Sequence, residues 1–186
     1  MKGVVSIYLR IIDYQSNALT SNGILDNNIV PVANILDKDN AQFIHITDYS
    51  SDIEQELNIG PQSSGAGAGK IKFNPFKITK YIDAVSPALF LDAASGKAFK
   101  TAEVFFIGAK NIVQVIQTYK LVAVKTVSWS AASGQPGMIE TVTFEYGGQF
   151  VTVNQHGPDG EISNVLQAGW NRVKNVRDTD LNSVIS

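Results

Sequence analysis

Most of this chain alternates between apolar and polar residues, which is the period of a β-strand. Near the N-terminus, Val5, Ile7, Leu9 and Ile11 alternate with polar positions. The same period returns after residue 40 and dominates the chain as far as residue 154. It predicts strands with one buried and one solvent-facing side at residues 5–11, 43–49, 71–73, 76–80, 119–127, 142–146 and 150–154.

Three other features refine the strand pattern. The nearly continuous apolar run Val104–Gly108 predicts a strand that is buried on both faces. Ile112–Ile116 lies close enough to the next run to continue into it as one long bent strand. The glycine pair at 147–148 predicts a turn, which makes Phe150–Asn154 the last clear strand.

One segment has the period of a helix instead. Ser86 and Pro87 are typical of a helix start, with the serine as a cap and the proline at the first helical position. Gly96 can adopt the left-handed conformation that ends a helix. The apolar residues between them predict a short amphipathic helix near 86–95 that packs through Leu89, Phe90, Ala93 and Ala94.

The remaining stretches have the composition of loops. Gln15–Asn40 is polar with short apolar patches, so it predicts a surface excursion that carries a short strand or a helical turn. Ser63–Gly69 consists of Ser, Gly and Ala and predicts a flexible loop. Trp129–Met138 contains Ser, Gly and Pro and predicts another loop. Pro75 predicts a bulge or an edge position for its strand.

Together these elements predict a mainly β chain of about eight or nine strands and one short α-helix, with turn spacing typical of sandwiches and barrels. The length of 186 residues is that of one domain with one core. Residues after 154 are polar with isolated apolar anchors. We therefore expect a barrel domain at 1–156 and a C-terminal extension at 157–186 that is not an independent domain.

Composition excludes several classes of protein. The chain contains no cysteine, which excludes disulfides, iron–sulfur clusters and thiolate zinc sites. Its net charge of -2 argues against a dedicated nucleic-acid-binding protein, which needs a basic surface. Arg10 and Asp13 interrupt the N-terminal apolar run, and no small-residue cleavage site follows it. We therefore expect a first strand rather than a Sec signal peptide, and a soluble protein without a spanning helix.

A search for catalytic motifs finds no convincing constellation. The glycine-rich run ends in Gly69-Lys70-Ile71, which lacks the Ser or Thr of a phosphate-binding loop. His45 and His156 have no spacing typical of a metal site, and no cofactor is predicted. Asp83 is a candidate acid or base, but a bond to local backbone that fixes the turn into the helix is favoured. For the two tryptophans, packing is favoured over a protein contact, and a protein contact over stacking on a sugar or base.

The segment Phe76–Gly96 resembles the haemolysin-coregulated protein (Hcp) family, the inner-tube subunits of bacterial type VI secretion systems. Supporting stretches are Ile7-Tyr8-Leu9, Tyr119-Lys120-Leu121, Glu140–Gly147 and the pair Gly169-Trp170, in the order found in the family. The excursion at 15–40, the stretch at 58–69 and the tail are longer than the family pattern. The residues that carry the signature are Phe76, Ile78, Lys80, Asp83, Ser86, Pro87, Leu89, Gly96, Glu140, Phe144 and Tyr146.

The resemblance implies a barrel-like sandwich of two sheets plus one helix, without catalytic, metal or cofactor residues. It implies a hexameric ring that stacks into a tube inside a contractile sheath, with a spike protein at its tip and effector proteins carried in some lumens. Such a protein is cytoplasmic before firing and secreted afterwards. Candidate contacts between subunits or rings lie in two loops, at Ser63, Gly65, Gly67, Gly69, Lys70, Trp129, Gly134 and Gly137.

Other functions stay open from the sequence alone. A phage-like or extracellular injection system uses tube proteins of the same architecture. A ligand-binding β-barrel or a carbohydrate-binding sandwich would show a deep apolar pocket or exposed aromatic residues on one face. A hydrolase would need a nucleophile and a base brought together, and His45 and His156 are the only histidines available for that role.

Overall fold

The computed structural model describes residues 4–35, 40–55, 71–109, 113–133 and 137–179. Within them lie thirteen strands, one α-helix, α1 (Ser86–Ser95), and a 3-10 turn (Val32–Asn34). The strands are β1 (Val4–Ile12), β2 (Ala18–Leu19), β3 (Leu25–Asp26), β4 (Ile44–Ile46), β5 (Asp48–Ser50), β6 (Ile53–Gln55), β7 (Ile71–Phe73), β8 (Phe76–Tyr81), β9 (Ala98–Ala109), β10 (Val113–Ser133), β11 (Met138–His156), β12 (Ile162–Asn171) and β13 (Val176–Arg177).

The strands form one large antiparallel sheet and one small one. The large sheet has the order β13-β12-β11-β10-β9-β1-β2-β3, with β4 paired to β1, and β8 paired to both β11 and β5. The small sheet consists of β6 and β7. This confirms the mainly β class with two sheets and one short helix. The strand number exceeds the predicted eight or nine because several strands have only two or three residues, too few for a visible alternation.

The main core lies on one face of the large sheet. It is built from alternate residues of the long strands and is closed by Leu89 of α1 and by Val85, the residue just before the helix. A second, smaller cluster covers the opposite face, where Ile35 and Phe43 pack against Phe105 and Ile107 of β9. Residues 104–107 are therefore buried on both faces, as the apolar run predicts. The excursion at 15–40 carries β2, β3 and the 3-10 turn, as expected, and it also supplies Ile35 to this second cluster.

Two predicted interruptions are wrong. The glycine pair at 147–148 is not a turn, because β11 runs through it and pairs with β10 on both sides. The backbone of Arg172 lies beside these glycines, and the backbone N–H of Arg172 donates to the carbonyl of Gly147. The stretch Trp129–Met138 is also not a loop throughout, since β10 continues to Ser133 and β11 begins at Met138. The long bent strand is confirmed: β10 continues past residue 117 with irregular register near Val115 and Thr126.

The C-terminal part extends the sheet. β12 pairs with β11 from Asn171 opposite Gly148 to Ile162 opposite His156. Phe150–Asn154 is therefore not the last strand, and part of the predicted extension is continuous with the barrel sheet. The polar sequence of this segment hides the strand because its side chains from 162 to 168 are exposed on both faces, so no alternation is required.

The helix has the predicted bounds but a different buried face. Gly96 adopts the left-handed conformation, with φ 63°, and its N–H bonds to the carbonyl of Ala93. The buried helical residues are Ser86, Leu89 and Asp92. Phe90 lies half exposed and packs edge-on against Trp129, at 5.2 Å between ring centroids. In the part of the chain that the structure describes, the sole α-helix is too short to cross a bilayer.

Candidate functional site

Lys80 occupies the centre of a buried polar cluster between β8 and β11. It faces Glu140, its cross-strand neighbour, and both side chains are almost completely buried. The Lys80 ammonium group donates to Glu140 Oε1 at 2.9 Å, to Asp83 Oδ1 at 2.6 Å and to the Tyr81 carbonyl at 2.6 Å. An ammonium group has three N–H donors, so all the donors of Lys80 have acceptors.

Glu140 joins this cluster to the helix and to β10. Its Oε1 also accepts the hydroxyl of Ser86 at 2.7 Å, while its Oε2 accepts the indole N–H of Trp129 at 2.6 Å. We call Lys80, Asp83, Ser86, Trp129 and Glu140 the signature cluster. Charge-assisted hydrogen bonds of this kind offset the desolvation of buried charges only when every partner is present. The cluster therefore fixes α1 to three strands.

The start of the helix differs from the prediction. Val85 takes the cap position, and no side chain caps the helix. Ser86 instead donates to Glu140 and accepts the N–H of Asp83 at 2.9 Å. Ser86 is drawn away from capping because the buried Glu140 carboxylate needs donors. The helix begins at Ser86, so Pro87 takes the second helical position rather than the predicted first one, still within the first turn.

Asp83 has the local structural role that the sequence favours. Its Oδ1 accepts the N–H of Val85 at 3.1 Å and the ammonium group of Lys80. Nearly half of its side chain is exposed, unlike that of Glu140. All three N–H donors of Lys80 are bonded to acceptors. Lys80 and Asp83 therefore form a fixed ion pair at the turn that leads into the helix.

The apolar signature residues lie in the main core. Phe76, Ile78, Leu89 and Phe144 are completely buried there. They belong to one cluster of packed apolar side chains, which is the arrangement of a stabilising core. The signature as a whole therefore describes how β8, α1 and β11 pack.

Tyr146 links the core to the C-terminal segment. Its hydroxyl donates to the Asn74 carbonyl at 3.3 Å, and burial raises the pKa of Tyr146 to about 12. The guanidinium group of Arg172 lies over the ring, 4.5 Å from its centroid, and donates to the Tyr146 carbonyl at 2.8 Å and to Glu145 at 2.9 Å. Arg172 follows β12, so these contacts hold the end of that strand against β11.

A second buried ionic group was missed by the sequence analysis. Arg10 donates through Nε and Nη2 to Glu103 Oε2, at 2.9 and 2.6 Å, and Lys120 lies 3.0 Å from the other oxygen. The three residues form one row across β1, β9 and β10. The Arg10 guanidinium group also lies against the rings of Phe43 and Phe105. The face of β1 that was expected to meet solvent is covered here by the excursion.

Asp92 is a buried carboxylate of α1 with incomplete pairing. Burial raises its pKa, and this effect exceeds the opposing attraction of Lys97, whose ammonium group lies 3.8 Å away. Its Oδ2 has no hydrogen-bond partner among the described residues. The position in the last helical turn also places a negative charge near the negative end of the helix dipole.

We expect Asp92→Asn to raise the melting temperature at pH 7 and to leave it nearly unchanged at pH 3. The folded pKa lies above the unfolded one, so the folded state holds its proton longer and stability falls as pH rises between the two values. Above the folded pKa, the folded state carries the full cost of burying the ionised Asp92 carboxylate. Asparagine has no charge, so the substitution removes this cost. Thermal unfolding followed by circular dichroism from pH 3 to 7 measures this, with Glu161→Gln as the exposed control. A larger gain at pH 3 than at pH 7 would contradict the assignment.

The predicted interface residues are only partly described. Ser63, Gly65, Gly67, Gly69, Lys70 and Gly134 lie outside the described residues. Trp129 is half-buried and hydrogen-bonded within the chain, and Gly137 lies at the turn before β11. Their place at a contact between copies stays a prediction. His45 is exposed on β4, edge-on to Tyr8, and no group of three potential metal-ligating side chains occurs within the described ranges.

The chain matches a family model over much of its length. The model is described as "Type VI secretion system effector, Hcp", and it matches residues 33–153. The chain belongs to the Hcp family. The match includes the signature cluster and most of the barrel strands.

Relatives and solved structures agree with this assignment. Protein hcp1 of Pseudomonas aeruginosa is 30% identical over 112 residues, which is 58% of this chain and 69% of that protein. A structure described as a type six secretion system protein has a TM-score of 0.74 at 17% identity, covering 94% of this chain and all of that one. Hcp1 of Salmonella typhimurium has a TM-score of 0.64 at 18% identity, covering 96% and 100%. These structures share the fold of the chain.

Proposed function

We propose that this Hcp-family chain is the tube subunit of a type VI secretion system, forming stacked hexameric rings that act as a conduit and carrier for secreted effectors. The family match over residues 33–153 carries the proposal. The architecture suits it, since a ring of identical copies needs two different surfaces that fit each other. A mainly β subunit offers sheet edges for such contacts.

The polar clusters support a structural rather than a catalytic role. Lys80 has its donors occupied, and Glu140 is buried with Lys80, Ser86 and Trp129 around it. A general acid or base must reach a substrate proton, which these groups do not. We propose that the chain has no enzymatic activity and that its partners are a second copy of itself, a spike protein, a contractile sheath and effector proteins.

Export offers a direct test of this function. In the proposed function the subunit is cytoplasmic until the system fires and then leaves the cell. In the source bacterium we expect the chain in the culture medium when the sheath contracts, and only inside cells when the sheath protein is deleted. A cytoplasmic marker enzyme controls for lysis. Equal export from both strains would reject the proposal.

Bulky residues at Gly137 test the predicted loop contact between rings. Among the described residues, a methyl group at Gly137 meets the ring of Tyr81 at 3.9 Å, an ordinary van der Waals contact, so this part of the fold has room for it. We expect Gly137→Trp to shorten or abolish tubes at high protein concentration while each subunit keeps its melting temperature. Electron micrographs and thermal unfolding measure the two effects, with Gly137→Ala as the control. If the tryptophan variant unfolds instead, the loop is part of the core and the predicted contact is wrong.

A further inference from the structure

Seven consecutive residues of β12 differ from the other long strands because all their side chains are exposed. We call Ile162–Ala168 the β12 strip. All its side chains are exposed, including the large apolar ones of Ile162, Val165 and Leu166, which are each more than half exposed. Val153 of β11, opposite Leu166, is exposed as well. The strip is a strand whose two faces both carry apolar side chains to the surface.

Within the described residues, the outer backbone edge of the strip has no partner strand. β13 pairs with β12 only at Trp170 and Asn171, and the Asp178 N–H reaches the carbonyl of Gly169. Residues two apart in a strand point their N–H and C=O groups to the same side. The groups of Gln167 and Val165 therefore point outward like those of Gly169, and no strand in the described part of the chain pairs with them.

The composition of β12 lacks the charges and prolines that protect free edges, although its pairing with β11 is irregular between Ile162 and Asn164. Strands at sheet edges are usually blunted by charges, proline or a bulge, because open edges pair with other chains. Ile162–Asn171 contains no charged residue and no proline. Two copies can therefore approach this surface without like-charge repulsion, so the strip is suited to a second copy of the chain.

The other end of the strand order offers a complementary surface. We call residues 18–29 the β2–β3 end. It exposes Ile24, Leu25 and Ile29. A shallow open cavity of about 450 Å³ is lined by Ile24, Leu25 and Ala41 together with five polar residues. Its last strand, β3, is bonded on one side only among the described residues. A ring closes when one surface meets a different surface on the next copy, and these two ends are such a pair.

We infer that the β12 strip docks on the β2–β3 end of the next copy and that this contact closes the ring. The inference rests on the proposed tube function and adds the surfaces that carry it. Apolar side chains of the strip pack on the exposed Ile24 and Leu25, while the outward groups of Val165 and Gln167 bond to the neighbouring backbone, as in strand addition.

The first test separates assembly from folding. We expect Leu166→Asp to convert rings into folded monomers in native mass spectrometry, with an unchanged circular dichroism spectrum and melting temperature for the subunit. Val173→Asp is the matched control, because Val173 is more exposed than Leu166 and lies outside the strip. Rings that persist in Leu166→Asp overturn the inference. A variant that unfolds overturns it too, since the strip would then be covered by its own chain.

A second variant tests the backbone edge. Gln167→Pro removes one outward N–H that β11 does not use, and proline is tolerated at such edge positions. We expect ring loss with Gln167→Pro and intact rings with Gln167→Ala, which changes the side chain only. Equal behaviour of the two variants contradicts pairing through this edge.

Cross-linking tests the partner surface. The chain has no cysteine, so introduced thiols are the only targets for a short bis-maleimide. We expect the double variant Ile24→Cys with Leu166→Cys to give a ladder of linked subunits, and neither single variant to do so. A dimer from Leu166→Cys alone overturns the head-to-tail contact, and so does the absence of a ladder from intact rings. If the unmodified chain forms no ring at all, the proposed function fails first.

Discussion

Lys80→Met is expected to destabilise the subunit by about 3–5 kcal/mol, because it leaves the carboxylate of Glu140 buried without its cation. Glu140 is completely inaccessible to solvent, and Lys80 is nearly so. Methionine has a similar length, so the change removes charge and donors more than volume. For a domain of this size the loss corresponds to a decrease in melting temperature on the order of 10 °C.

Two further variants separate the buried pair from the exposed one. Asp83→Asn is expected to cost only about 0–1 kcal/mol, because Asp83 is nearly half exposed and such ion pairs contribute little. The double variant Lys80→Met with Glu140→Gln should recover part of the loss, since no unpaired charge remains. Urea unfolding followed by tryptophan fluorescence measures all three, because Trp129 bonds to Glu140. If the Lys80→Met variant is as stable as Asp83→Asn, the buried Lys80–Glu140 pair does not stabilise the fold as proposed.

Gly169→Ala is the second change with a large expected effect. A methyl group there would lie 2.3 Å from two ring carbons of Phe150 and 2.7 Å from the Asp178 carbonyl. Phe150 is almost completely buried, so its ring has little room to move. Forcing an extra methyl group into such a site costs about 1–3 kcal/mol. We expect a lower urea midpoint and faster amide exchange at Arg177 and Asp178, because β13 must move away from β12.

Two controls give the Gly169 prediction its specificity. Gly137→Ala adds the same methyl group at a site where, among the described residues, it meets the Tyr81 ring at the ordinary distance of 3.9 Å. Its urea midpoint should therefore stay close to that of the unmodified chain. Phe150→Leu combined with Gly169→Ala should recover part of the stability by shortening the clashing ring. If Gly169→Ala unfolds at the midpoint of Gly137→Ala, the close packing of β12 on β11 is contradicted.

The features that the sequence predicts well are local ones. The helix bounds follow from Pro87 and Gly96, whose backbone preferences act within a few residues. The buried strand at 104–108 follows from its apolar composition. The family signature also led to Lys80, Asp83, Ser86 and Glu140, which the structure brings together in one cluster.

Other features depend on contacts between distant parts of the chain. Lys80 and Glu140 are 60 residues apart, and Arg10 and Glu103 are 93 residues apart, so no spacing rule pairs them. Serine is a typical helix cap, but the Ser86 hydroxyl donates to the carboxylate of Glu140, which is distant in the sequence. β12 forms by pairing with β11, and its exposed side chains leave no alternation to read. The glycines at 147–148 have the composition of a turn, but pairing with the distant strand β10 places them within β11.

Native mass spectrometry of the unmodified chain at high concentration tests the central claim most directly. A tube subunit of the Hcp family is predicted to give a dominant species of six copies, each of 20.1 kDa. Negative-stain images of the same sample should show rings. A spectrum that contains only the single chain, at concentrations where the protein is folded, would contradict the proposed function.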